Sequence, residues 1–258
     1  MIYKEPRFLP GGDKAIFVEF GDEIEPGLNR RVRLLMLALQ KAKVLGIIEA
    51  VPTYCSLLVY YEPLQIGPRK LRETLYTLVQ QPKENNLPIP RLIEIPTVYG
   101  GEYGPDLESV ATHNSLNVPE VIKIHTSTPY LVYMLGFMPG FPYLGGMSPR
   151  IATPRLETPR IKIPAGSVGI AGRQTGIYPA ESPGGWRIIG RTPVKLFNSS
   201  KEPPALFQAG DYLIFRSITP EEFTEIKETV EQRTYLVKET LMERGGGWKP
   251  LRLSSQGR

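Results

Sequence analysis

Proline and glycine set the terms for this chain. They number 26 and 25 in 258 residues and show no period. They crowd into five peptides beyond residue 98: Tyr99–Leu107 (YGGEYGPDL), Gly136–Gly146 (GFMPGFPYLGG), Thr158–Ser167 (TPRIKIPAGS), Ala171–Pro179 (AGRQTGIYP) and Glu181–Arg187 (ESPGGWR). Glycine permits sharp turns and close backbone approach, and proline presets them. Such segments predict short strands joined by tight turns, over residues 130–137, 161–163, 168–171, 186–190, 194–197 and 212–216. Many short strands with frequent turns imply a closed or nearly closed barrel.

Ahead of this region the pattern changes. Lys14–Phe20 alternates like a strand. Leu28, Val32, Leu35 and Leu39 line one face of a helix from about Leu28 to Ala42. Ile47–Val51 and Leu57–Tyr61 read as paired strands with Pro52 at the turn. A second helix after Pro68 carries Leu71, Leu75 and Leu78, and Arg91–Ile95 reads as a closing strand. That β-α-β-β-α-β order predicts a ferredoxin-like α/β domain. Pro82–Pro90 is polar and proline-rich, which marks a linker. The expected fold is therefore α+β, with a ferredoxin-like domain over 1–90, a barrel over 91–218, and a C-terminal helix and flexible tail over 219–258. Two short helices are expected at 106–113 and 118–125, the second capped by Asn117 with Glu120 completing a capping box. Thr219-Pro-Glu-Glu222 starts the last helix in the same way, and its apolar stripe runs to about Glu243.

Several chemistries find no support. The single cysteine, Cys55, excludes an internal disulfide and reads as a structural thiol in an apolar run, as expected of a cytoplasmic protein. The first residues lack a secretory apolar region, and no stretch reaches the roughly 18 apolar residues of a membrane span. Acids and bases are mixed along most of the chain, against a nucleic-acid tail. With two histidines and one cysteine there is no zinc cluster, and no metal site is expected. There is no G-x-x-x-x-G-K-[ST] loop, and Gly166, Gly169 and Gly172 are spaced wrongly for a dinucleotide fingerprint. One region departs from neutrality: residues 150–195 hold eight basic side chains against two acidic ones, inside a chain of net charge +5. That balance reads either as a solvated basic face or as an anion-attracting site.

The residues beside the turns suggest a pocket, with apolar walls and a few fixed polar groups. Phe137, Phe141 and Tyr143 read as walls or as core. Gln174 offers an amide donor and acceptor together, which suits a lactam or urea-like group. Tyr178 can add a hydroxyl. Arg160 and Arg187 can each grip a carboxylate or phosphate at two points, or serve a structural ion pair. His125, near a helix end, reads as a dipole partner or as a general acid/base.

The same five peptides resemble the family that contains the B subunit of 5-oxoprolinase, allophanate hydrolase subunit 1 and a sporulation kinase inhibitor, over roughly residues 5 to 220. They also resemble part of the carboxyltransferase domain of urea carboxylase. The Gly136–Leu144 and Gln174–Tyr178 runs are the most specific. Two departures stand out: Arg173 replaces a glycine common in relatives, and the chain beyond about Phe223 lies outside the shared core. The resemblance implies an N-terminal α/β domain, a cyclophilin-like barrel, and work alongside partner subunits C and A. The implied reaction is ATP-dependent cleavage of 5-oxoproline to glutamate, with ATP bound mainly with the partners. In that setting His125, Arg160 and Gln174 are the expected catalytic residues, and Phe137, Phe141, Tyr143, Tyr178 and Arg187 the expected substrate-binding ones. Allophanate cleavage, or inhibition of a histidine kinase, is the alternative the same resemblance allows.

Overall fold

The structure is a computed structural model that describes residues 1–81 and 87–242. Its first unit contains β1 (Ile2–Pro10), β2 (Ala15–Gly21), α1 (Pro26–Ala42), β3 (Ile47–Pro52), β4 (Ser56–Tyr61) and α2 (Pro68–Val79). The four strands form an antiparallel sheet in the order β1-β2-β4-β3. Pro26 opens α1, and the Glu25 carboxylate accepts from the Leu28 amide at 2.9 Å, one of the donors a helix start leaves unpaired. Lys43, at φ 45°, ends it. The predicted stripe of Leu28, Val32, Leu35 and Leu39 is buried against Ile16, Val18, Phe20, Leu57, Val59, Leu71 and Leu75. Each such side chain contributes roughly 1.5–3 kcal/mol on leaving water.

The strand expected to close this sheet goes elsewhere. Arg91–Ile95 begins β5 (Arg91–Tyr99), which belongs to the second sheet. The place beside β2 is filled instead by β1, an N-terminal strand that its mixed composition concealed. β5 carries Ile93, Ile95 and Val98 in apolar surroundings, a pattern suited to the middle of a sheet rather than an edge.

The second unit continues through α3 (Leu107–His113), α4 (Val118–Thr126), β6 (Tyr130–Leu135), β7 (Pro142–Gly145) and a 3₁₀ turn at Pro149–Ile151. β8 (Arg160–Ile163), β9 (Ser167–Ala171), β10 (Gln174–Ile177), β11 (Ser182–Gly184), β12 (Arg187–Arg191) and β13 (Tyr212–Ser217) follow. The chain then forms α5 (Pro220–Glu231) and β14 (Glu239–Leu241). The main sheet runs β10-β9-β12-β5-β13-β6-β7, and β14 pairs with the start of β5. Its two ends curl round until β10 lies against β7 without a hydrogen-bonded ladder between them. The result is a nearly closed barrel around a core that includes Ile93, Val132, Ile170, Ile177 and Phe215. β8 and β11 pair as a separate two-stranded ribbon. Both expected capping boxes are present, Asn117 with Glu120 and Thr219 with Glu222.

Two further expectations give way. Residues 194–197 form no strand beyond an isolated Phe197–Ala205 bridge. Pro193 has no donor, and the Val194 amide donates to the Thr192 hydroxyl at 3.2 Å instead of to a neighbouring strand. The last helix stops at Glu231, twelve residues before the stripe predicted. Arg233 adopts φ 61°, the chain reverses, and Val237 packs on the barrel core while Leu241 joins β14. Glu243, the tail beyond it and residues 82–86 of the expected linker lie outside the described residues.

The two cores are fastened at a few polar points. Asn29 on α1 is fully buried and donates through Nδ2 to the carbonyls of Thr53 and of Tyr133 in β6, each at 3.1 Å. The Arg33 guanidinium lies over Gly210. Among the described residues no helix is long and apolar enough to cross a membrane.

Candidate functional site

The seam between β7 and β10 gathers most of the aromatic side chains singled out in the sequence. Gly136–Gly140 turns sharply into β7, with Phe137 at φ 66° and Gly140 at φ 81°. A side chain at residue 140 would strike Phe197, its Cβ only 2.8 Å from that of Phe197. A bulky residue in the left-handed region is uncommon and strained, and Phe137 is nonetheless 68% exposed. Behind it Phe141 is the hub of an edge-on cluster, with ring centroids 5.7 Å from Phe137, 5.1 Å from Tyr143, 5.6 Å from Tyr178 and 5.7 Å from Trp186. Each such pair adds about 0.5–1.5 kcal/mol beyond area burial. Gly176 on β10 faces this cluster, where a Cβ would come within 3.1 Å of Phe141 and 3.0 Å of Trp186. The glycine in Gln174-Thr-Gly-Ile-Tyr178 is thus what lets the seam draw together.

At the mouth of the seam the first unit contributes a residue. Tyr54, in the turn between β3 and β4, accepts a hydrogen bond on its hydroxyl oxygen from Gln174 Nε2. Its ring packs 5.2 Å from Tyr133 and 5.9 Å from Tyr143. Burial among these rings pushes the Tyr54 hydroxyl well above its ordinary pKa, so it stays protonated. The turn is fixed by Thr53, whose hydroxyl accepts from the Ser56 amide at 3.0 Å and meets the Ser56 hydroxyl at 2.8 Å. Sequence reasoning missed Tyr54. Its partner lies 120 residues away, and nothing in Thr-Tyr-Cys-Ser announces it. Cys55 beside it is half-buried and free, and desolvation raises its pKa.

His125 lies on the other side of the barrel wall. Neighbours on a strand point to opposite faces: Gln174 reaches out to Tyr54, while Thr175 faces inward to His125. The imidazole is 0% exposed and stacks on Phe215 at 4.3 Å between centroids. Its Nε2 meets the Thr175 hydroxyl at 2.9 Å, and that hydroxyl donates to the Gly169 carbonyl at 3.0 Å. Nε2 is therefore the protonated nitrogen, and Nδ1 accepts from the Tyr99 hydroxyl at 2.8 Å. Loss of hydration pushes its pKa down to about 3. The expected proton shuttle is instead a neutral ring with both nitrogens engaged inside the core, with no surface to offer a substrate.

Arg160 and Arg187 gather at a third place, the start of α3. Arg160 donates through both terminal nitrogens to the Asp106 carboxylate, at 2.8 and 2.7 Å, and its pKa rises on that account. Asp106 also accepts from the Ile188 amide at 2.7 Å. Arg187 donates to the Pro154 carbonyl at 3.1 Å and to the Ser109 hydroxyl at 3.2 Å. The two-point grip expected for a bound anion is taken up by the protein's own aspartate. The structure thus brings together Phe137, Phe141, Tyr143, Tyr178 and, through Tyr54, Gln174, and gives the arginine pair and His125 hydrogen-bond partners other than these.

Elsewhere, a groove of about 440 Å³ runs beside α1, lined by residues including Lys4, Arg30, Leu34, Lys41 and Leu78, and it includes none of these side chains. Among the described residues no three His, Cys, Asp or Glu side chains group as a metal site would require.

Comparison with known proteins places this architecture. Residues 6–207 match the family model for the carboxyltransferase domain, subdomain C and D. The B subunit of the 5-oxoprolinase of Bacillus subtilis (strain 168) is 45% identical over 231 residues, covering 84% of this chain and 95% of that protein. The crystal structure of TTHA0988 superposes with a TM-score of 0.72 at 35% identity, covering 80% of this chain and 40% of that longer one. The urea carboxylase of Kluyveromyces lactis shares the fold, with a TM-score of 0.76 at 19% identity over 93% of this chain and 25% of its own length. A match across most of the sequence, together with the barrel and its seam, leads to one conclusion: the chain belongs to the carboxyltransferase domain, subdomain C and D, family.

Proposed function

We propose that this chain is the B subunit of an ATP-dependent 5-oxoprolinase, which cleaves 5-oxo-L-proline to L-glutamate together with subunits A and C. The observation that carries the reading is the extent of likeness to the Bacillus subtilis protein of that name, 95% of which is matched. The seam supports it from the chemical side. Gln174 is partly exposed beside the aromatic cluster, a setting that would give a small cyclic amide apolar contact for its ring methylenes and hydrogen bonds for its polar edge. Phe137, Phe141 and Tyr143 act as walls, and Tyr178 closes the cluster from behind.

The chain's share of the reaction is to bind and orient the amide. Arg160 commits its two terminal nitrogens to Asp106, and Arg187 spends two of its five donors on Pro154 and Ser109, so this reading gives both arginines a structural task first. On this reading ATP is bound mainly with the partner subunits. His125 is a fixed internal post between β10 and α4.

The test is reconstitution. The chain is combined with subunits A and C, and glutamate release from 5-oxoproline is followed with and without ATP. Release that needs all three chains and ATP is the expected result. Activity on allophanate in its place, or none on either compound, defeats the proposal.

A further inference from the structure

Tyr54 is the group that the first unit supplies to the seam, and its hydrogen bond to Gln174 has a consequence for selectivity. The Gln174 carboxamide spends one Nε2 proton on the Tyr54 oxygen. Its Oε1 accepts from no described residue, and the Tyr54 O–H donates to none. Both side chains are partly exposed, so the linked pair leaves an acceptor on Oε1 and donors on the Tyr54 hydroxyl and the second Nε2 proton available to a ligand. Rotating the carboxamide end for end exchanges the two roles without changing the sum: Tyr54 then donates to Oε1, and the pair still offers a donor on Nε2 and an acceptor on the Tyr54 oxygen.

We infer that Tyr54 is a specificity-determining residue, forming with Gln174 a two-point reader for amides whose C=O and N–H lie on the same edge. This rests on the proposed function of the seam and deepens it. A lactam ring holds its C=O and N–H syn, so one compact donor–acceptor pair satisfies both. An ordinary trans peptide points them in opposite directions and satisfies only one. Leaving a polar group unmatched in a partly dry site is the strongest basis for rejection. The rings of Tyr133 and Tyr143 fix where the Tyr54 hydroxyl can stand. The fold thus makes the site from both units: the barrel gives the amide side chain, and the β3–β4 turn gives the hydroxyl that orients it.

The experiment uses the reconstituted three-subunit enzyme with wild-type chain, Tyr54→Phe and Gln174→Leu. Kinetics on 5-oxoproline are combined with competition by the same lactam and by its N-methyl derivative, which lacks the N–H. Tyr54→Phe is expected to raise KM about tenfold with kcat held within about twofold, the signature of a lost binding contact. Gln174→Leu is expected to lose most of the wild-type preference for the N–H compound over the N-methyl one, and Tyr54→Phe a part of it, because the carboxamide it orients is no longer held. Melting curves run alongside. A variant that melts earlier but keeps the full preference would show Tyr54 to be only a tether between the units, and would overturn the inference. An active wild type whose variants match it in KM and preference overturns the inference alone. A wild-type complex that releases no glutamate overturns the proposed function and takes this inference with it.

Discussion

His125 shows what one buried base does to the pH response of the whole fold. Its folded pKa of about 3 stands against an ordinary value of 6.5, so between those limits the unfolded chain binds the extra proton. Stability from this group is complete above pH 6.5 and falls as pH drops toward 3, approaching about 1.4 kcal/mol for each unit inside the window. Thermal melts between pH 7.5 and 4.5 are expected to show a steep acid-side loss in the wild type and a shallower one in His125→Gln. Equal slopes would mean that other groups govern acid sensitivity. At this scale the sequence was readable in part. The seam aromatics and Gln174 stood out because the glycines and prolines around them demand tight turns. The position of His125 was also plain, but its role depends on Thr175 and Phe215, which reach it only through the fold. Tyr54 was invisible because a hydrogen bond across 120 residues leaves no local pattern.

The same contrast holds for elements. The α1 stripe and the two capping boxes were legible because helix faces and caps are local. The closing strand of the first sheet, and the return of the chain as β14, are decided by which edges are free, and edges are a property of the assembled sheet. Asp106 belongs at this scale, since it binds α3 to β8 through Arg160 and to β12 through the Ile188 amide. It is only 7% exposed. Asp106→Asn is therefore expected to cost roughly 2–4 kcal/mol, below the full range for breaking a buried pair because Arg160 keeps some water. Arg160→Ala should cost less, since Asp106 keeps its backbone donor. Urea unfolding of both variants measures the order, and an equal or greater loss in Arg160→Ala would refute it.

Across the whole molecule, two hydrophobic cores must behave as one body if a residue of the first unit is to serve a site on the second. The fastening is slender. Asn29 supplies one Nδ2 group to a carbonyl of each unit, and its own Oδ1 finds no partner among the described residues. Replacing it by alanine leaves the Thr53 and Tyr133 carbonyls without that donor, a loss of roughly 2–4 kcal/mol when both stay dry. Neither core loses an apolar contact that holds it together, so the damage falls on the coupling between them. Asn29→Ala is therefore expected to change the form of unfolding as well as its midpoint. The wild type should melt in one transition, and the variant in two or in one visibly broadened, with calorimetric enthalpy exceeding the van't Hoff value. In the reconstituted enzyme its KM for 5-oxoproline should rise, because Tyr54 sits one residue beyond the freed Thr53 carbonyl. A variant that keeps one sharp transition and the wild-type KM would show that the packing of α1 on β6, including the close approach of Arg33 to Gly210, already couples the units without Asn29.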